Sequence, residues 1–144
     1  PVITIRNQPK EVRFEKLLLP LDMTKDTTQK VERIIEWAKT FNSEIYLVSV
    51  SVFFEGLTHN LAELGRRLEA AANFIRQQGL KCTTEMMKHE GVAAAVIEYA
   101  QEINPDLIVI MTGQETKMDK FFLGSRANRM VSQSPFPILS LKPK

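Results

Sequence analysis

Apolar positions along this chain fall into two alternating patterns. The first is short and continuous. "KLLLPL" (16–21) and "DLIVIM" (106–111) carry nearly unbroken apolar runs of strand length, as strands covered on both faces require. "EIYLVSVSV" (44–52), the more polar "KCTTEMM" (81–87) and "FPILSL" (136–141) complete five predicted strands. The second pattern recurs at helical spacing. Val31, Ile34, Ile35, Ala38 and Phe41 follow the cap-rich stretch "DMTKDTTQ". Leu57, Leu61, Leu64, Leu68, Ala72 and Ile75 form a second stripe, stopped at Gly79. Val92, Val96, Tyr99, Ala100 and Ile103 form a third, ended by Asn104-Pro105, and a last helix is expected from about Ser125 to Ser132.

This alternation, with right-handed crossovers, predicts an α/β fold: one open, mainly parallel, Rossmann-like five-stranded sheet with helices on both faces. Numbering these five strands in chain order, the apolar first and fourth belong in the middle. The polar third and the proline-flanked last belong at the edges, where missing ladder donors do least harm. The order is therefore 3-2-1-4-5. The winding reverses between the first and fourth strands, and open α/β sheets bind ligands at strand carboxyl ends beside such a reversal. Asp22 and the loop 112–124 border that crevice.

Composition narrows the function. The 144 residues suit a single domain, and a net charge of +2 falls short of the clustered positive surface of a DNA binder. One cysteine, Cys82, excludes an intrachain disulfide and suits a reducing cytoplasm. No apolar run reaches membrane-spanning length. There is no G-x-S-x-G elbow, no P-loop, and no G-x-G-x-x-G after the first strand, so no catalytic residue is assigned. His59 and His89 lie thirty residues apart with no ligand-like spacing, so no metal site is assigned either. His89-Glu90 reads as a solvated turn before a helix, and Cys82 as a small packing residue. A phosphoacceptor receiver domain fails as well, because Asp22 has no adjacent acid and "EMMKHEG" offers no Asp.

Three stretches carry a family resemblance. "KLLLPLD" and "EIYLVSV" resemble the first two strands of the universal stress protein family, and "PDLIVIMTG…FFLGSRANRMVSQSPFPILSLK" resembles its C-terminal signature. The resemblance runs from about residue 15 to the end. It implies an adenine nucleotide alpha-hydrolase-like sheet, a role in stress response, pairing of the last strand's edge with a partner's equivalent, and ATP binding in some members. Nucleotide-binding members resemble one another in the pattern Gly, two residues, Gly, nine residues, Gly-Ser or Gly-Thr. Aligned on Gly124-Ser125, this chain has Met111 and Gln114 where the earlier glycines stand, and Gly113 falls out of register. Glycine in such a loop permits close phosphate approach and positive φ. Gly124, Ser125 and the N–H groups of the helix that follows keep the other half of the cradle. By resemblance, Pro20, Asp22 and Val50 occupy the adenine-side positions. Two readings follow. One is a stress-response module acting by dimerisation and partner contact, with a degenerate loop and no firmly held cofactor. The other is an ATP-binding sensor using the crevice between Asp22 and the 111–125 loop.

The N-terminus adds one expectation. "PVITIR" (1–6) matches "PILSLK" (137–142) position by position. Residues 1–14 then read as a strand and linker left from a preceding tandem domain, with 15–144 as the domain itself. Residues 1–6 should form an extra edge strand antiparallel to 137–142, in the same chain or exchanged between two. Segment 7–14 can extend about 26 Å, enough to cross the roughly 14 Å to the first strand. Homodimer or tandem-domain pairing is expected through the same edge.

Overall fold

A computed structural model describes residues 1–7, 11–21, 27–52, 61–111 and 123–141. The elements in chain order are β1 (Val2–Thr4), β2 (Lys16–Leu21), α1 (Thr27–Phe41), β3 (Glu44–Val52), α2 (Leu61–Gln77), β4 (Cys82–His89), α3 (Val92–Ile103), β5 (Leu107–Met111), α4 (Leu123–Gln133) and β6 (Ile138–Leu141). They build one six-stranded sheet in the order β1-β6-β5-β2-β3-β4. This is the five-strand order read from the apolar pattern, extended by β1 beyond β6. Every pairing is parallel except β1 with β6, which is antiparallel with Val2 opposite Ser140, Ile3 opposite Leu139 and Thr4 opposite Ile138.

Alternation along the strands divides the core between two faces. Leu17, Leu19, Ile45, Leu47, Leu107, Val109 and Leu139 pack with Ile34 and Ala38 of α1 and Leu68, Ala72 and Ile75 of α2. Leu18, Val48, Ile108 and Ile138 pack on the other face with Val96, Tyr99 and Ala100 of α3 and Met130 of α4. Helix stops fall where residues tolerating positive φ stand. Gly79 (φ 81) follows α2, and Asn104 (φ 50) caps α3 with its N–H on the Ala100 carbonyl at 2.8 Å.

Several expectations are corrected. Phe41 does not face the sheet: it is 43% exposed and stacks with Phe14 and Trp37 at ring separations of 4.8 and 5.5 Å, because the last turn of α1 overhangs the approach to β2. Leu61 opens α2 on its exposed side, and Leu57 and His59 lie outside the described residues. His89 belongs to β4 rather than to a solvated turn. Its Nδ1 accepts the Gly91 N–H at 3.1 Å and its Nε2 lies 3.4 Å from Glu98, joining the end of β4 to α3.

Candidate functional site at the parting of β2 and β5

The site is made by a ladder that stops early. β2 and β5 are neighbours only over Leu17 with Leu107 and Leu18 with Ile108. Beyond that level each strand continues with its other partner: β2 with β3 as far as Leu21 opposite Ser49, and β5 with β6 as far as Met111 opposite Leu141. Pro20 supplies the local reason. The Lys16 carbonyl accepts the Asp106 N–H at 2.9 Å, so the main-chain groups of the alternate residues Leu18 and Pro20 face β5 as well. Proline has no N–H to donate, and the next rung cannot form. The carboxyl ends of the two central strands are therefore free to diverge at the point where the sheet changes winding direction. The buried Ser49 hydroxyl donates to the Leu21 carbonyl at 3.1 Å and holds the end of β2 toward β3.

Three of the predicted site residues are described at this end of the sheet, but they do not share a face. Pro20, half-buried, has the parity of Leu18, and half-buried Val50 packs against the cluster under α3 and α4. Met111 lies on the opposite face, half-buried against the cluster under α1 and α2. Continuing the β2–β5 offset places it level with Leu21. Asp22, Gly113 and Gln114 lie outside the described residues. Gly124 and Ser125 fall within the first turn of α4, which begins at Leu123, two residues before the expected start. For Ser125 the helical backbone alone is described.

Electrostatics at this end favour anions in a general way. α1 and α4 both follow strands whose carboxyl ends line the crevice, so their N-termini point back to it. Neither helix has an acidic residue in its first turn. Sequence reasoning missed two groups here. Lys30 is buried near the start of α1, and beside it the buried Gln29 Oε1 has no hydrogen-bond partner among the described residues. Their place just after the cap-rich stretch was the available signal, but burial of a lysine is set by tertiary packing that periodicity does not carry.

The remaining chemistry-bearing side chains have structural surroundings. Burial pushes the Cys82 thiol up to about 11, outweighing the opposite pull of the nearby Arg76 guanidinium. Arg76 itself donates to the Cys82 carbonyl at 3.0 and 3.1 Å and to Glu69 at 2.6 Å, fastening the end of α2 to β4. Among the described residues no group of three His, Cys, Asp or Glu side chains is placed to hold a metal ion. No described helix is long and apolar enough to cross a membrane.

Comparison with known proteins gives a consistent answer. Residues 13–142 match the profile of the universal stress protein family. A universal stress protein of Methanocaldococcus jannaschii is 31% identical over 142 residues, covering 90% of this chain and 82% of that protein. Among solved structures, a universal stress protein in complex with cAMP superposes with a TM-score of 0.73 at 17% identity, covering 92% of this chain and 99% of the other. A universal stress protein of Archaeoglobus fulgidus in complex with dAMP gives 0.67 at 18% identity, covering 88% and 97%. At those identities the structures speak for the fold, while the profile match over most of the sequence speaks for descent. The chain belongs to the universal stress protein family.

Proposed function

We propose that this chain is a non-catalytic, cytoplasmic universal stress protein module that acts by association with a second such module or a protein partner, and that it holds no nucleotide at micromolar concentration. The observation that carries this reading is Met111. Where nucleotide-binding members are expected to place glycine, this strand end carries a long side chain packed into the core beneath α1 and α2. Turning the backbone there toward a phosphate would mean withdrawing that side chain from its packing. Residues 15–144 form the family domain in this reading, and residues 1–14 are a strand and linker added to it.

A second reading has its own support. The β2–β5 ladder stops short at the end of the sheet where a ligand would lie, and two structural neighbours hold cAMP and dAMP. In that reading an adenine nucleotide lies between Asp22 and the 111–125 loop, with its phosphate at the start of α4. Titration calorimetry with Mg-ATP separates the two. No saturable heat is expected at micromolar protein, and a low-micromolar Kd would overturn the first reading. Met111→Gly should strengthen any residual binding if this position is the obstacle. A chain that binds tightly without the substitution would favour the sensor.

A further inference from the structure

The register between β1 and β6 carries information that neither strand carries alone. In sequence, residue n of "PVITIR" corresponds to residue n + 136 of "PILSLK": Val2 to Ile138, Ile3 to Leu139, Thr4 to Ser140. In the sheet Val2 lies opposite Ser140, Ile3 opposite Leu139 and Thr4 opposite Ile138. Replacing each β1 residue by its β6 counterpart turns these pairs into Ile138 with Ser140, Leu139 with Leu139, and Ser140 with Ile138. That is the register of two copies of β6 related by a two-fold axis through Leu139. An isologous interface between identical strands has this self-complementary form.

The two strands differ sharply in how firmly the fold holds them. Ile138, Leu139 and Leu141 of β6 are at most 2% exposed, the burial of an interior strand. In β1, Val2 is 64% and Ile3 39% exposed, and Ile5 just beyond is 49% exposed. β1 is thus held by a three-residue ladder and by the Arg6 guanidinium, which donates to the Ser132 carbonyl near the end of α4, with little apolar burial. An uncovered strand edge is a template for another chain.

We propose that β1 imitates the β6 of a second copy: it occupies in the same chain the edge through which two copies would otherwise pair, and its release yields a symmetric dimer with Leu139 on the axis. This rests on the reading of the chain as an associating module, but no nucleotide enters its test, so the two can fail separately. Light scattering on the 144-residue chain should give the mass of one chain. Thr4→Pro, which strips a donor from the β1 ladder, and removal of residues 1–6 should each raise the mass twofold. A full chain already at twice the mass, or both variants remaining at one, would overturn the proposal. The register has its own readout. Directly opposed residues of an antiparallel pair bring their Cβ atoms to about 5 Å, within small adjustment of a disulfide. Leu139→Cys, in a Cys82→Ala background lacking residues 1–6, should therefore cross-link into covalent dimers on mild oxidation, and the same pair of substitutions with β1 present should not. A shortened chain that dimerises without cross-linking at 139 would place the interface elsewhere and overturn the symmetric pairing.

Discussion

Single side chains in this molecule show how burial decides between reactivity and packing. Cys82 could be taken for a nucleophile in any chain with one cysteine. Its place on β4, half-covered by α2, disfavours the thiolate and raises the thiol from an ordinary 9.0 to about 11. Below about pH 9 the thiol is protonated in the folded and unfolded chain alike, and this group leaves stability unchanged. Between about 9 and 11 the unfolded chain loses the proton while the folded chain keeps it, so stability falls as pH rises. Urea midpoints measured across that interval should decline more steeply for the native chain than for Cys82→Ala. Parallel slopes would show that the thiol is not burdened by burial. Met111 bears on binding in the same way: in the proposed reading, its packing against the core is what keeps a phosphate from the end of β5.

At the scale of elements, the two central strands are clamped at one end and parted at the other. Asp106 makes the clamp. Its Oδ2 accepts the backbone N–H groups of Glu15 and Lys16, each at 2.9 Å, while its own N–H donates to the Lys16 carbonyl. Lys16 Nζ adds a bond to the Ile103 carbonyl at 3.2 Å, tying the end of α3 to the same corner. At the other end Pro20 withholds the donor that would continue the ladder. Asp106→Ala removes two charge-assisted hydrogen bonds at once and leaves the half-buried Lys16 N–H without its partner. A loss of about 2 kcal/mol is expected. Urea unfolding should show a lower midpoint with an unchanged slope, and a midpoint equal to that of the native chain would rule the clamp out.

At the scale of the whole molecule, most of the fold was legible in the sequence because its signals are local. Gly79 and Asn104 stop helices by backbone conformation, and the apolar runs 16–21 and 106–111 name the central strands without reference to anything distant. What escaped depended on neighbours. A proline inside an apolar run looks the same whether or not a neighbouring strand departs there, so the early end of the β2–β5 ladder is not legible in residues 16–21. Lys88 and His89 extend β4 because an edge strand accepts polar residues that pattern reading assigns to a turn. Phe41 follows helical spacing, yet it finds Phe14 and Trp37 rather than the sheet. The candidate site was legible in position, since topology puts Pro20, Val50 and Met111 at one end of the sheet. Its division between two faces, and the buried Lys30 beside it, were set by packing.

In the proposed reading, the end of β5 that would receive a phosphate is occupied by Met111. The most direct test of that reading is the nucleotide content of the chain as purified from cells, released by heat and resolved by ion-exchange chromatography. Adenine nucleotide far below one equivalent per chain is expected, unchanged by purification in the presence of Mg-ATP followed by desalting. Near-stoichiometric ATP, AMP or a cyclic nucleotide retained through desalting would contradict it.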